Sequence, residues 1–318
     1  MTIKYLTEIN ETNKSRTLLL IDAALQAYNA FDSKAPLVFQ EKNCIAPSGY
    51  EFVDYWTGFD SLFGKDKTEE IYGVVFRSEV APYTYIFAFR GTDSTLDVLD
   101  DLGAEHTDFA AFDPDAKIPP GVKVESGFYD IYSTSAGEKA SMRDQLFQLI
   151  KKYESSAKPI HQLLITGHSL GSTICEVFTL DVALSRPDIT AININYACPR
   201  LGNDQFVSLY EQQPAQKNSE TRTLRVQNTY DKVPCVPLLD MGYQHLNNAY
   251  IIAFHKVGLL GEFDFLSCHS ALNYQAVLKG AAASKDGVCV DKDLYVSGNK
   301  YSVVSQTPDP STIGSVWS

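Results

Sequence analysis

The 318-residue chain has no long apolar run and fewer basic than acidic residues. No segment approaches the ~20 apolar residues that a transmembrane helix requires, and residues 1–11 lack the continuous apolar core of a signal peptide. The 27 Lys and Arg against 39 Asp and Glu give a net charge of −12, which argues against binding nucleic acid or anionic membranes. We therefore expect a cytoplasmic protein; a secreted mature form that has lost its leader fits the same sequence.

The chain also lacks the cysteine and histidine patterns of disulfide-rich and metal-binding proteins. Its six cysteines lie far apart with no CxxC pair, so free thiols in a reducing compartment are the simplest interpretation. The six histidines show no metal-ligand spacing, and we expect no metal and no cofactor. No internal repeat, heptad array or linker divides the sequence, so we predict a single domain over residues 1–318.

Strand and helix patterns alternate through the middle of the chain. Apolar runs predict strands at residues 71–77, 83–90, 161–166, 190–197 and 223–226. Helical spacing of apolar residues predicts helices at 14–31, 138–153 and 172–184. The alternation predicts an α/β fold, with a mostly parallel central sheet and helices on both faces. We interpret the remainder as irregular chain at 32–70 and 114–127, as loops and short helices covering the site at 238–266, and as a weak terminal hairpin after 286.

The most informative segment is Gly-His-Ser-Leu-Gly at residues 167–171, a Gly-x-Ser-x-Gly pattern centred on Ser169. A serine at the tip of a sharp strand-to-helix turn has a strained backbone, and crowding there favours residues without Cβ two positions away. An apolar run precedes the pattern, and a Gly- and Pro-free segment of helical length follows it. This context predicts a nucleophilic serine at the N-terminus of a helix, where backbone amides bind a developing oxyanion.

A nucleophilic serine needs a histidine base and an acid that orients it, and α/β-hydrolases place them in the order serine, acid, histidine. Asp231 is the best acid because it follows a predicted strand at the carboxyl edge of the sheet; an aspartate bonded to its own turn is the alternative. His245, His255 and His269 are all candidate bases. We favour His269, since an apolar and aromatic stretch after it can anchor its loop.

Four motifs occur in a recognisable order across about residues 70–275. They are Phe-Arg-Gly-Thr-Asp-Ser at 89–94, Val-Glu-Ser-Gly-Phe at 124–128, the serine pentapeptide, and Cys-Pro-Arg-Leu-Gly-Asn at 198–203. With Asp-Lys-Val-Pro at 231–234 as an acid motif, the chain resembles the class 3, fungal-lipase-like branch of the α/β-hydrolases. The resemblance implies Ser169 as nucleophile, Asp231 as acid and His269 as base, with the amides of Thr92 and Leu170 as oxyanion donors.

The resemblance also implies a supporting acid and a lid. Asp101 matches an acid that helps to position the oxyanion residue, and residues 95–102 match the lid helix. Leu96, Leu99 and Leu102 form one apolar stripe of that candidate lid, which lacks the family's usual tryptophan and carries three aspartates. A short surface helix with a core-facing stripe is the alternative.

Two further departures concern single side chains. Glu125 stands where the family usually has histidine. The family commonly has an aromatic residue three positions after the catalytic histidine, whereas Tyr274 lies five after His269.

Together these features predict a serine hydrolase that cleaves carboxylic esters through an acyl-enzyme. An acylglycerol lipase is favoured, because of the family and because the apolar segments at 238–266 suit an acyl pocket. A soluble carboxylesterase or feruloyl-type esterase is the alternative, and a catalytically silent binding module is the remote one. The expected partner is a small-molecule or lipid ester, with transient contact to a neutral lipid interface.

Overall fold

The centre of the protein is a mixed β-sheet, which we describe from a computed structural model. The structure describes residues 4–6, 8–60, 68–92, 105–213, 222–257, 265–283 and 302–306. In chain order its strands are β1 (Tyr5–Leu6), β2 (Tyr50–Asp60), β3 (Thr68–Ser78), β4 (Thr84–Phe89), β5 (His106–Asp108), β6 (Lys123–Glu125), β7 (Gln162–Gly167), β8 (Ala191–Tyr196), β9 (Thr223–Asn228), β10 (Ala249–Val257) and β11 (Ser302–Gln306).

Nine of the described strands form one sheet. Their order is β1-β10-β9-β8-β7-β4-β3-β2, with β11 beside β10. The strands from β4 through β7, β8, β9 and β10 to β1 pair in parallel, whereas β2, β3 and β11 pair antiparallel to their neighbours. Strands β5 and β6 form a separate antiparallel ribbon. The predicted α/β architecture with a mostly parallel sheet is confirmed.

The described helices are α1 (Glu11–Asn29), α2 (Ser126–Ser133), α3 (Met142–Glu154), α4 (Leu170–Ser185), α5 (Asp204–Gln212), α6 (Phe265–His269) and α7 (Ala271–Ala283). Polar residues cap several of their N-termini. The Asn10 side chain accepts from the Asn13 amide at α1, and Ser141 accepts from the Asp144 amide at α3. Such caps satisfy amides that have no partner within the helix.

Two apolar cores, one for each group of helices, enclose the sheet. One core combines residues of α2, α3 and α4 with sheet residues, for example Ile131, Leu146 and Phe178. The other combines α1 and α7 with the sheet and includes Leu20 and Tyr274. Parallel strands are buried on both faces, and polar side chains can gather at the carboxyl edge of the sheet, where the strands end.

Strand β2 corrects the interpretation of residues 32–70 as irregular chain. Its pairing with β3 shifts register between Phe52 and Asp54 and again between Trp56 and Thr57. The first shift inserts Val53 into β2 and breaks the two-residue alternation by which a strand is recognised in a sequence, whereas the second inserts Tyr72 into β3. Helix α2 begins inside the predicted loop at 114–127 and continues through residues that were given no element: it has eight residues, and Glu125 caps it by accepting from the Phe128 amide at 2.7 Å.

Strand β10 corrects part of the interpretation of residues 238–266 as loops and short helices, whereas Leu239–Met241 does form a short helix. Residues 249–255 are nearly all buried, and a strand with both faces covered shows a continuous apolar run in place of alternation. At the C-terminus, β11 pairs antiparallel with β10. The other half of the predicted terminal hairpin lies outside the described residues, as does the candidate lid at 95–102. No helix in the described ranges has the length and apolarity needed to cross a membrane.

Candidate active site

Ser169 lies between the end of β7 and the first turn of α4. Its backbone has φ 58° and ψ −131°, a positive φ that costs a non-glycine residue energy and persists only where the surroundings enforce it. Its amide donates to the Tyr196 carbonyl at 3.0 Å, so β8 holds the turn in place. Ser169 is thus a strained serine at a helix N-terminus.

The two flanking glycines are required by close backbone approach. A Cβ on Gly167 would lie 2.6 Å from the Gly171 carbonyl oxygen, and a Cβ on Gly171 would lie 2.6 Å from the Arg90 carbonyl oxygen. The crowding that the motif predicts is therefore present, and it packs the residue 90–92 loop against the serine turn.

Asp231 and His269 form a buried pair at the carboxyl edge of the sheet. Asp231 lies three residues after β9, and His269 is the last residue of α6. His269 Nδ1 is 2.8 Å from Asp231 Oδ2. Asp231 also accepts from the Val233 amide at 3.0 Å and from the Tyr274 hydroxyl at 2.9 Å. The carboxylate that sequence reasoning chose as acid thus orients the histidine chosen as base.

The other two candidate bases have different surroundings. His245 is buried, and its Nε2 lies 2.7 Å from the Pro234 carbonyl oxygen. The His255 ring lies on β10, with its centroid 4.8 Å from that of Tyr230. The pairing with Asp231 therefore favours His269.

Asn228 connects the acid and the base, and sequence reasoning missed it. Its side-chain amide donates to the carbonyls of Phe254 and Cys268, each at 2.9 Å. It therefore ties the end of β9 to β10 and to the residue before His269. The available signal was a polar residue at the carboxyl end of an apolar strand, three positions before Asp231.

Tyr274 contacts the Asp231–His269 pair even though the family commonly has its aromatic residue two positions earlier. Although Tyr274 lies five residues after His269, its hydroxyl donates to Asp231 Oδ2. The same hydroxyl accepts from the backbone amide of Asn228 at 2.9 Å. Burial and the nearby Asp231 carboxylate hold the pKa of Tyr274 well above its usual range. Tyr274 therefore remains a neutral hydrogen-bond donor to the acid.

The loop that carries Thr92 is anchored by Arg90. The Arg90 guanidinium is buried, pairs with Glu70 at 2.9 Å and lies 3.8 Å from the Phe31 ring centroid. It also donates to the Gly91 carbonyl at 3.0 Å. Ion pairing and cation–π contact hold this buried cation and fix the residue before Thr92. Asp101, the predicted support of Thr92, lies outside the described residues, as do Leu96, Leu99 and Leu102.

An open cleft of about 320 Å³ leads to His168 and His269. Thr92, His168 and His269 line its inner wall, and Leu266 and Leu272 line its outer part with 50% and 56% exposure. Of the predicted acyl-pocket region 238–266, Leu266 reaches the cleft, whereas the segment that forms β10 is a strand of the sheet. That part of the prediction is wrong, because β10 uses its apolar side chains to fill the core.

Glu125, which stands where the family usually has histidine, accepts from the Phe128 amide. It is buried and caps α2, and burial raises its pKa to about 7.

The chain is similar to known lipases over its central part. A family model described as Lipase (class 3) matches residues 86–241, a range that contains Ser169 and Asp231 but not His269. Among curated relatives, phospholipase A1-IIdelta of Arabidopsis thaliana is 28% identical over 203 residues, covering 55% of this chain and 47% of that protein. The secreted mono- and diacylglycerol lipase MDL3 of Malassezia globosa is 29% identical over 167 residues, covering 51% and 50%. The chain spans about half the length, or less, of these relatives.

Solved structures show the same fold. The nonglycosylated LIP2 lipase of Yarrowia lipolytica superposes with a TM-score of 0.59 at 19% identity, covering 79% of this chain and 83% of that one. A mutant form of MDLA from Penicillium cyclopium gives a TM-score of 0.56 at 21% identity, covering 77% and 82%. The fold is that of the α/β-hydrolases. Over residues 86–241 the chain matches the class 3 lipase family, and it is similar to lipases and phospholipases A1 of that family.

Proposed function

We propose that the protein hydrolyses carboxylic esters through an acyl-enzyme on Ser169. The observation that carries this proposal is the buried Asp231–His269 contact of 2.8 Å beside a strained serine turn. Ser169 Oγ and His269 Nε2 are both buried and have no hydrogen-bond partner among the described residues. These are the two atoms between which the proton moves when a serine attacks a carbonyl.

The Asp231 contact decides which nitrogen of His269 carries the proton. The carboxylate accepts, so Nδ1–H donates to it, and the lone pair of Nε2 is left to take the Ser169 proton. The imidazolium formed during attack is stabilised by Asp231. His269 then protonates the leaving alcohol, and water repeats the sequence to release the acid.

Two backbone amides serve as the oxyanion donors in this proposal. Leu170 is the first residue of α4, next to the nucleophile, and Thr92 lines the cleft beside His269. Donors fixed before the reaction stabilise charge without reorganising, and loss of one typically costs about 3–4 kcal/mol of transition-state stabilisation. The Arg90–Glu70 pair keeps the Thr92 loop against the serine turn.

We infer a neutral lipid ester, an acylglycerol, as the substrate class. Leu25, Leu266 and Leu272 supply apolar surface to the cleft, and no Lys or Arg is among the described residues that line it. A phospholipid headgroup is normally bound by cations, so the cleft suits mono- and diacylglycerols, the lipids in the names of the Malassezia relatives, better than phospholipids. Transient contact with a neutral lipid surface is compatible with a net charge of −12.

A fluorophosphonate probe tests the nucleophile directly. We expect the native chain to be labelled covalently, and Ser169→Ala to remain unlabelled while keeping the native melting temperature. Ser172→Ala is the matched control, because Ser172 is a buried serine on the next turn, and it should still be labelled. Lack of labelling of the folded native chain would overturn the proposal and favour a silent binding module.

A histidine series tests the base. We expect His269→Ala to lower kcat by about 10⁴-fold or more, as loss of a triad member does. His245→Ala and His255→Ala should retain turnover wherever they fold. Turnover by His269→Ala close to that of the native chain would exclude His269 as the base.

A panel of acyl substrates tests the substrate class. A sharp rise in rate when a glyceride exceeds its solubility supports an acylglycerol lipase. Simple saturation with short-chain or feruloyl esters, with no gain from an interface, would instead indicate a soluble esterase.

We propose a reducing compartment, and hence the cytoplasm, as the location of the protein. The five cysteines in the described part of the chain, Cys44, Cys175, Cys198, Cys235 and Cys268, are free thiols, which oxidising compartments disfavour. The secreted relatives are a reason to test this by fractionating cells that express the full-length gene. Recovery of the protein in the medium would overturn the assignment.

A further inference from the structure

Helix α1 reaches the candidate catalytic centre from a part of the chain that lies outside the family match at 86–241. Tyr28, in its last turn, places its hydroxyl oxygen 3.0 Å from His168 Nδ1. A Cβ built on Gly91 would lie 2.2 Å from this hydroxyl and 3.2 Å from Ser169 Cβ. The Tyr28 hydroxyl therefore lies where the Thr92 loop meets the serine turn.

His168 has a defined partner on each ring nitrogen. Its Nε2 is 2.7 Å from the main-chain carbonyl oxygen of His269. A carbonyl only accepts, so Nε2 carries the proton, and Nδ1 in the neutral ring is an acceptor. Burial and the neighbouring His269 keep the pKa of His168 well below its usual range, so the ring is neutral. The Tyr28 hydroxyl is therefore the donor to Nδ1.

We propose that Tyr28 is a positioning residue for the base: it holds His168 in the Nε2–H tautomer, and His168 in turn holds the backbone of His269. The inference rests on the proposed role of His269 as the base. Sequence reasoning assigned His168 no role. The contacts make its ring a bridge between α1 and the segment that carries the base.

The segment around His269 needs such support because α6 has only five residues. A helix this short has too few internal hydrogen bonds to hold its last residue by itself. Contacts from outside the helix help to hold its backbone: Asn273 donates to the Ser267 carbonyl, Asn228 to the Cys268 carbonyl and His168 to the His269 carbonyl. A shift of the base by about 1 Å is enough to cost up to 10²-fold in rate.

Helix α1 is a suitable anchor because it is tied to both sides of the site. Tyr196, at the end of β8, donates its hydroxyl to the Thr17 carbonyl at 2.5 Å. Asp22 accepts from Gln275 at 2.5 Å and lies 3.2 Å from Lys279 Nζ, both on α7. The Tyr28–His168 contact therefore starts from a helix already fixed to the sheet and to α7.

Tyr28→Phe, which removes only the hydroxyl, is the primary test, with Tyr196→Phe as its matched control. Both variants delete one hydroxyl that ties α1 to the rest of the protein, but Tyr196 makes its contact at Thr17. We expect kcat of Tyr28→Phe on a soluble nitrophenyl ester to fall about tenfold, the effect of one net hydrogen bond, with KM nearly unchanged. Tyr196→Phe keeps the main-chain carbonyl that accepts from the Ser169 amide and loses only the hydroxyl on Thr17, so it should keep the native kcat.

The split between kcat and KM decides between positioning and substrate contact, since Tyr28 also lines the cleft. A rise in KM with native kcat would show that Tyr28 binds substrate, and would overturn the proposal. An equal fall of kcat in Tyr28→Phe and Tyr196→Phe would also overturn it, because the effect would then come from loosening α1 in general.

Two variants of His168 test the bridge itself. A glutamine amide nitrogen reaches the position of histidine Nε2, whereas an asparagine amide nitrogen reaches only that of Nδ1. We therefore expect His168→Gln to keep a larger share of kcat than His168→Asn, at similar KM. Equal losses in the two folded variants would argue against a bond to the His269 carbonyl.

Histidine-ring ¹⁵N NMR tests the tautomer without any turnover. The native protein should show His168 protonated at Nε2 only, and Tyr28→Phe should shift the Nδ1 resonance, because that nitrogen loses its donor. Protonation at Nδ1 in the native protein would overturn the inference. If instead the native chain hydrolyses no ester but the ring shows this signature, the proposed function fails while the Tyr28–His168–His269 arrangement stands.

Discussion

Two buried aspartates in this protein have nearly the same surroundings and different chemistry available to them. Asp181 on α4 accepts from the Phe112 amide at 2.6 Å, the Tyr132 hydroxyl at 2.7 Å and the Ser185 hydroxyl at 2.8 Å. Asp231 likewise accepts from one backbone amide and one tyrosine hydroxyl, those of Val233 and Tyr274, but its third donor is a histidine, His269.

The difference lies in what the third partner connects to. Ser185 lies on α4 like Asp181, and its hydroxyl connects Asp181 only to a neighbouring loop, where it accepts from the Asp113 amide at 2.9 Å. His269 has a second ring nitrogen, buried next to the serine turn, with no hydrogen-bond partner in the described part of the chain. Burial and three hydrogen bonds are therefore common to Asp181 and to Asp231, the proposed catalytic acid, and the third donor is what differs.

The pair of variants Asp231→Asn and Asp181→Asn is the strongest test of this comparison. Asp231→Asn takes the carboxylate from His269 and favours the wrong tautomer, so we expect kcat to fall about 10⁴-fold. Asp181→Asn should keep kcat close to that of the native chain. Both should lower the free energy of unfolding by about 1–3 kcal/mol, because each loses bonds to a buried carboxylate.

Nitrophenyl-ester kinetics and thermal melting, measured on the same preparations, separate the two outcomes. The comparison fails if folded Asp181→Asn is as inactive as Asp231→Asn. It also fails if Asp231→Asn remains active.

Glu176 extends the comparison to a buried carboxyl with weaker partners. Asn195 and Cys198 donate to it at 3.3 Å each, and burial raises its pKa from 4.5 to about 7 despite the nearby Arg225. A carboxyl with a raised pKa binds more protons in the folded protein than in the unfolded chain. The contribution of Glu176 to the free energy of unfolding is therefore largest below pH 4.5 and is lost as the pH rises through 7.

Glu176→Gln removes this ionisation while keeping an acceptor in the same place. We expect the variant to equal the native chain near pH 4 and to exceed its free energy of unfolding by about 3 kcal/mol near pH 8, since one pKa unit corresponds to about 1.4 kcal/mol. Its kcat should stay native. Denaturant unfolding at both pH values measures the difference, and parallel pH curves for the two proteins would show that Glu176 does not titrate in this range.

The fold was predictable where burial and periodicity agree. Parallel strands such as β7 and β8 are short, apolar and bounded by turns or helices, so their positions follow from the sequence. Strand β2 was missed because the bulge at Val53 breaks its alternation. Strand β10 was missed because a strand buried on both faces shows a continuous apolar run, without the alternation that distinguishes a strand from an apolar loop or helix.

The candidate site was predictable as far as it consists of motifs. The Ser169 turn is local, so five consecutive residues carry its signal, and the acid follows a recognisable strand. Contacts between distant segments carried no such signal: Tyr28 and His168 are 140 residues apart, and Asn228 and Cys268 are 40 apart. Which side chains support a catalytic residue depends on the packing of α1, α6 and α7, and packing has no short-range pattern.

Tyr274→Phe and Tyr132→Phe give the smallest and most closely matched test of the two aspartates. Each substitution deletes one tyrosine hydroxyl that donates to a buried carboxylate, at 2.9 Å on Asp231 and 2.7 Å on Asp181. Each should therefore lower the free energy of unfolding by a similar amount, about 1–2 kcal/mol. Tyr274→Phe alone should also lower kcat, by about five- to tenfold, because a carboxylate with one donor fewer holds the His269 ring less firmly. If the two variants lose stability equally and neither loses kcat, His269 and the Val233 amide are sufficient to orient Asp231, and Tyr274 contributes to folding only.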